Sequence, residues 1–377
     1  MFCLCFMRAS NLTKELATGR INRQSLLSLI FKDAIKIIED KNETRHDGLS
    51  CSILGTSKYI TIKDWANKKN FLKKNDSNVD KKYDYNFNII SEKKYLVSAI
   101  ASLYCGQEYI EKFMDNITTQ SCFRDYCELI IIDANSPENE SEVIRRYMNS
   151  YQNINYIRMN YRIGIYDAWN CGVKVAKGEY LTNTNLDDFR RKDSLEIQAG
   201  FLDNLDFVDV VYQDFYYTFD FHLSYEEIAL YDYQSNLPVI TKHNMMMFNS
   251  PHNAPMWRKK LHEDIGYFNT NFKSAADYDF WMRCLAAGKI FYKINDPHVI
   301  YFQNPNGLST RPETRGLVEG KEISKQFCKI FISDILTMPF NEFCSKIGIA
   351  DSLDDGSLNR YTMAKYALRN IARYNKF

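Results

Sequence analysis

An excess of charge of either sign is missing from this chain: 48 Lys and Arg stand against 47 Asp and Glu, for a formal net charge of +1. No global field draws it to nucleic acid or to an anionic membrane, so nucleic acid is not an expected partner and any charged ligand must be held locally. Long apolar runs are missing too. No stretch approaches the ~18 residues of a membrane span, and "MFCLCFM" is far shorter than the apolar core of a signal peptide. No translocation is expected, and the expected location is cytoplasmic. The ten cysteines include no Cys-x-x-Cys pair and no Cys/His cluster at zinc spacing, so they read as reduced thiols. Neither a GxxxxGK[ST] loop nor a GxGxxG turn is present, which removes the main support for P-loop nucleotidases and dinucleotide-dependent dehydrogenases. No repeat recurs at a period of ~20 to 50 residues, which excludes a repeat array.

What is present is a globular composition: 377 residues, 45% of them apolar, ample for a real core. Three regions are expected, 1–90, 91–316 and 317–377. In the first, "SLLSLIFKDAIKIIED" (Ser25 to Asp40) reads as an amphipathic helix, whereas "NKKNFLKKNDSNVDKKYDYN" has few apolar anchors and reads as a solvated Lys/Asn-rich linker.

From Lys94 the pattern becomes regular. "YLVSAIASLY" is a buried strand, "EYIEKFMDNITTQ" sets Tyr109, Phe113 and Ile117 on one helical face, and "ELIIID" is a second strand. Pro137 after Ser136 opens a helix with N-cap chemistry, striped by Val143, Ile144, Tyr147 and Met148. "INYIRM" is a third strand. Ile165, Ala168, Trp169, Gly172, Val173 and Ala176 then follow helical spacing with Gly178 as C-cap, and "EYLTNT" is a fourth strand. This alternation implies an α/β fold with parallel strands, right-handed crossovers and a ligand crevice at the carboxyl ends. A helix from Asp193 to about Leu205 and a strand "FVDVVYQD" come next, then an irregular stretch from Phe215 to Met256. A helix at "AADYDFWMRCLAAG", strands at "KIFYKI" and "HVIYF", and a tail of two or three helices complete the reading.

Asp187 and Asp188 stand just past the fourth strand. Adjacent carboxylates raise each other's pKa unless a cation or donors offset the repulsion, and Mg²⁺ or Mn²⁺ does so by taking one or two carboxylates plus phosphate oxygens. The alternative is that one of them caps the next helix while the other is solvated.

Here the sequence is similar to a known family. "VSAIASLYCGQEYIEKFMDNITTQSCFRDYCELIIIDANSPENESEVIRRY" resembles the opening of GT-A-fold, family 2 glycosyltransferases, and "GIYDAWNCGVKVAKGEYLTNTNLDD" resembles the block that ends in their metal-binding acidic motif. The similarity runs from about Tyr95 to Ser309. It implies a mixed, mostly parallel sheet flanked by helices with helical N- and C-terminal extensions, residues 91–190 being the nucleotide-binding half and 191–316 the acceptor half. It further implies that Tyr104 and Glu108 border a nucleotide base, that Asp133 accepts a hydrogen bond from it, and that Asp187 and Asp188 hold ribose and metal, Mn²⁺ or Mg²⁺. Asp133 could equally end its strand in an Asx turn. Asp167 and Asn170, one turn apart on the polar side of their helix, join the donor site or form plain surface.

"SAADYDFWMRCLAAG" resembles the family's acidic segment at a helix start, which implies that Asp277 is the general base taking the acceptor proton; a helix cap is the alternative. Ala276 stands where the family often has Glu, and "DANS" lacks a common second Asp. His252, Trp257 and Arg258 are candidates for the acceptor pocket, with Trp257 stacking on a sugar or anchoring the next helix. "HVIYFQNPNGLSTRPE" resembles the late loop closing over the diphosphate, where Arg311 or Arg315 could pair with phosphate; His298 reads as structural. The tail helix carrying Leu358, Tyr361, Ala364, Leu368 and Ile371 either docks on the domain or rests peripherally on a membrane.

The resemblance implies an inverting, metal-dependent hexosyl transfer from a nucleotide diphosphate donor, a UDP-sugar first among them, to a hydroxyl of a glycan or lipid-linked acceptor. Two alternatives stand beside it. A sugar nucleotidylyltransferase should carry a Gly- and Arg-rich loop after its first strand, whereas "SLYCGQEY" has one Gly and no Arg. A non-catalytic module binding nucleotide sugars or glycans should have lost the acidic pair or Asp277, and all three are present.

Overall fold

The computed structural model describes residues 50–53, 59–72, 87, 89–245, 249–304, 307 and 314–333. The expected helix from Ser25 to Asp40, Arg311, and the tail beyond residue 333 lie outside the described residues.

A small hairpin, β1 (Ser50–Ser52) and β2 (Tyr59–Thr61), leads into α1 (Ile62–Leu72). The main unit then runs β3 (Val97–Leu103), α2 (Ile110–Thr118), α3 (Phe123–Tyr126), β4 (Cys127–Asp133), α4 (Glu140–Met148), β5 (Ile154–Arg158), α5 (Ile165–Val175) and β6 (Tyr180–Asn183). It continues through β7 (Phe189–Arg190), α6 (Ser194–Asn204), β8 (Val210–Thr218), α7 (Tyr225–Ala229), α8 (Lys242–Met245) and β9 (Met256–Arg258). Last come α9 (Leu261–Asp264), α10 (Ala276–Ala286), β10 (Phe291–Phe302) and α11 (Arg315–Ser333).

Eight strands form one sheet in the order β5-β4-β3-β6-β9-β8-β10-β7. The β3, β4, β5 and β6 pairings are parallel, as is β8 with β10, while β9 and β7 run against their neighbours. The sheet is therefore mixed and mostly parallel, the α/β arrangement expected from the sequence.

Its central strands read as continuous apolar runs because helices cover both faces. Alternation sorts them: Ile100, Ile130, Ile132 and Leu181 pack with Tyr166, Trp169 and Val173 of α5. Ala99, Ala101, Leu129 and Ile131 pack on the other face against Ile110, Phe113, Met114 and Ile117 of α2 and Val143 and Ile144 of α4. Gly172 lets α5 settle on β3, since a Cβ there would lie 2.4 Å from Ile100 Cγ2.

Several local expectations are corrected. Gly178 does not cap α5, whose C-cap is Ala176 in an extended conformation; glycine is required at 178 because a Cβ would meet the Ser98 backbone nitrogen at 2.6 Å. Ser136 does not cap α4, which starts at Glu140 after Asn139; its hydroxyl instead donates to Glu140 Oε1 at 2.7 Å. "KIFYKI" and "HVIYF" are one strand, β10, whose register against β8 shifts between Ile294 and Val299. Part of the supposed linker is ordered: α1 extends through residues 67–72, held by Trp65 against the main unit. Finally, α11 packs on α10, with Ile323 and Phe327 in the core.

Candidate active site

In a parallel sheet the chain leaves each strand at its carboxyl end, and there the candidate residues gather. After β3, Cys105 turns with φ +50°, and Tyr104 lies 40% exposed with the Arg162 guanidinium 2.9 Å from its ring centroid. Glu108, just before α2, is exposed as well. Tyr104 and Glu108 are thus both open to solvent beyond the carboxyl end of β3.

Asp133 ends β4 in the second of its two expected ways. It is fully buried, accepting from the Ser136 backbone N–H (2.7 Å), the Tyr156 hydroxyl (2.5 Å) and Arg158 (2.8 Å). The Asx-turn alternative therefore describes its geometry: the carboxylate closes the β4 turn and positions Tyr156 and Arg158.

The acidic pair follows β6 and is unequal. Asp188 is 7% exposed and has both oxygens engaged, Oδ1 by the Phe302 N–H (3.2 Å) and Oδ2 by Asn185 Nδ2 (2.9 Å). Asp187 is half-buried, and Asn304 Nδ2 donates to its Oδ2 at 3.0 Å. Burial raises the pKa of Asp187, offset by the Asn304 amide. Burial also raises that of Asp188, reinforced by the charge of Asp187 and opposed by Asn185, the Phe302 N–H and Arg190. Two carboxylates that are costly to ionise side by side are a natural seat for a divalent cation. Among the described residues no group of three or more His, Cys, Asp or Glu could hold a metal. An all-oxygen pair of this kind suits Mg²⁺ or Mn²⁺ only where ligand phosphate oxygens complete the coordination.

Asp277 lies in the first turn of α10. Its Oδ1 accepts from the Tyr166 hydroxyl (3.0 Å) and its Oδ2 from Asn249 Nδ2 (2.6 Å). Tyr166 is in the first turn of α5, which leaves the carboxyl edge of the sheet, so Asp277 shares that edge with Asp187. Burial raises the Asp277 pKa, and the Tyr166 hydroxyl, backbone N–H groups and Asn249 amide pull it back. Glu319 of α11 fixes the helix start by accepting from the N–H groups of Lys273, Ser274 and Ala275 at 2.9, 2.8 and 3.0 Å.

Other candidates fall elsewhere. Asn170 is buried rather than on a polar face: its amide pairs with Phe268, donating to the carbonyl (2.8 Å) and accepting from the N–H (3.0 Å). Asp167 is half-buried and accepts from the Gly164 N–H at 3.3 Å, closing the first turn of α5. Both line a cavity of about 510 Å³ together with Arg162, Gly164, Lys174 and Thr270. Trp257 is not a sugar platform. It is 1% exposed, packed on Trp281 and Phe268, with its indole N–H donating to His262 Nε2 at 3.0 Å. Arg258 lies opposite Tyr180 at the amino edge of β6, donating to the Leu202 and Leu205 carbonyls at the end of α6, as a C-terminal cap does, and to the Val208 carbonyl before β8. His252 stacks on Phe215. His298 is buried against Ser194, and burial drives its pKa well down, as a structural histidine requires. Arg315 is exposed at the start of α11.

The residues that the sequence did not single out are the partners: Asn185, Asn304, Tyr166, Asn249 and Arg162. Asn304 carried one available signal, since it sits in the loop whose Asn, Pro and Gly content marks it as a closing segment.

Residues 98–266 match the model of Glycosyl transferase family 2. An uncharacterized glycosyltransferase of Methanocaldococcus jannaschii is 24% identical over 214 residues, 56% of this chain and 72% of the relative. Glycosyltransferase GlyG of Streptococcus pneumoniae is 25% identical over 219 residues, 55% and 70% of the two chains. Among solved structures, S. aureus TarS 1–349 with UDP-GlcNAc is similar at TM-score 0.48 and 19% identity, over 68% of this chain and 71% of that one. Mannosyltransferase PcManGT of Pyrobaculum calidifontis, with GDP-Man and Mn²⁺, is similar at TM-score 0.46 and 16% identity, over 83% and 81%.

Proposed function

We propose that the chain is a glycosyltransferase of family 2 that transfers sugar from a nucleotide-sugar donor, and that it is an inverting, metal-dependent enzyme whose acceptor is a hydroxyl of a glycan or lipid-linked saccharide; the match of residues 98–266 to that family's model supports the reading. The observation that carries this reading is the inequality of the acidic pair. Asp188 is tied into the protein by both oxygens, while among the described residues the one side chain that donates to Asp187 is Asn304, at Oδ2. Asp187 is assigned the metal, Mn²⁺ or Mg²⁺, and Asp188 its support.

The bound cation would neutralise charge on the leaving diphosphate. Tyr104 with Arg162, and Glu108, border the base; Asp133 acts through Arg158 and Tyr156 by holding their side chains. Asp277 takes the proton of the acceptor hydroxyl as that oxygen bonds to the anomeric carbon, on the face opposite the breaking bond to the nucleoside diphosphate. Tyr166 and Asn249 hold the carboxylate in place and favour its ionised form, while burial raises its basicity.

Isothermal titration of UDP and of GDP, each with and without Mn²⁺, tests the donor half. The expected result is binding that requires the metal and disappears in Asp187→Ala; retention of both affinity and metal dependence in that variant removes Asp187 from the site. Release of nucleotide from a hydrolysed donor separates an enzyme from a silent binding module.

A further inference from the structure

We propose that Trp65, which precedes the family-matched residues, is a positioning residue for the acidic pair, so that α1 is part of the working site. The inference deepens the donor-site reading above and rests on it.

Trp65 is 3% exposed and stacks on Tyr231 with ring centroids 3.8 Å apart and planes 11° from parallel. Its edge meets Phe219 at 6.1 Å, and Tyr233 lies at 5.8 Å. One turn on, Lys68 donates to the Tyr231 carbonyl and sits 4.7 Å from the Tyr233 ring centroid. The preceding hairpin is anchored separately, with Ile53 and Ile60 buried in the main core.

The apolar cluster around Trp65 contains Phe189, Tyr216, Ile228, Tyr231 and Ile300. Two of these lie beside the acidic pair's supports. Phe189 directly follows Asp188, and Ile300 pairs with Phe189 across the sheet. Ile300 also stands two residues before Phe302, whose N–H donates to Asp188. The residue next to Asp188 and the strand position two residues before its backbone donor therefore share one packed cluster with Trp65. The loop after β8 is pinned from the opposite direction by Lys112, which donates to the Phe221 and Leu223 carbonyls and lies 4.0 Å from the Phe189 ring centroid. Packed interiors relax only partly around a void, so removing the indole shifts its neighbours, and through the shared cluster the shift reaches Phe189.

Two measurements on the full chain test this. Amide hydrogen exchange compares wild type with Trp65→Ala. Faster exchange is expected at 187–190 and 302–304 as well as at 62–72 and 225–233; acceleration confined to the latter two overturns the proposal. Titration of UDP or GDP with Mn²⁺, well below the melting temperature, should show affinity about tenfold weaker in Trp65→Ala and near wild type in Trp65→Phe. Unchanged affinity in a variant that merely melts earlier leaves Trp65 a stabilising residue only and overturns the proposal. Should Trp65→Ala not fold, Lys68→Met, which removes the tether to Tyr231, is read by the same two criteria. If wild type binds neither nucleotide, the donor-site reading fails, and exchange at 187–190 and 302–304 still decides the positioning.

Discussion

Asp187 and Asp188 share chemistry and neighbourhood, yet their substitutions should separate. Asp187→Ala is expected to lose metal-dependent nucleotide binding at nearly unchanged melting temperature, because its carboxylate is half-exposed and its protein partner, Asn304, sits in a surface loop. Asp188→Ala should lose both, since the Phe302 N–H and the Asn185 amide would forfeit their acceptors in a buried site, at a cost of about 1–3 kcal/mol. Calorimetry of the two variants checks the split. Asp277 makes a prediction with a sign. A general base works only when deprotonated, so transfer should fall as pH drops through its raised pKa, above the ordinary aspartate range. Tyr166→Phe removes a donor that favours the carboxylate, and the acid limb of the rate profile should move to higher pH. Asp277→Asn should bind nucleotide and not turn over.

At the scale of elements, the helices do more than cover the sheet. The first turn of α5 carries Tyr166 to Asp277, and Asn170 one turn later locks the chain at Phe268 by two hydrogen bonds. Asn170→Ala should therefore destabilise by about 1–3 kcal/mol, read by denaturant titration, while leaving nucleotide affinity intact below the transition. A loss of nucleotide affinity would return Asn170 to the donor site. Gly172→Ala forces a methyl onto Ile100 and should lift α5 from β3 at a similar cost. The α11 helix reaches the same site from the C-terminal side, through the three backbone N–H groups that Glu319 accepts.

On the scale of the whole molecule, one sheet gathers contributions from segments far apart in the chain, with Trp65, Asp187, Asp277, Asn304 and Glu319 meeting around its carboxyl edge or buttressing it. Among the described residues no helix is long and apolar enough to cross a membrane. The alternating strands and helices from Val97 to Asn183 were legible in the sequence because each depends on its own periodicity: apolar runs for buried strands and a 3.6-residue stripe for α5. The placement of Asp187 and Asp188 just past a strand and of Asp277 in a first helical turn was legible for a related reason, since strand ends and helix starts follow from local pattern. The roles of Asn170 and Arg258 were not, and Asp133 and Trp257 each stood between two readings, because a side chain's partners come from remote positions: Arg258 meets the end of α6, and Trp257 meets Trp281. Local order along the chain thus determined the strands, the helices and the candidate carboxylates. Tertiary structure alone decided which of those groups are engaged inside the protein and which face a ligand, because burial and hydrogen-bond pairing depend on neighbours that sequence distance does not reveal.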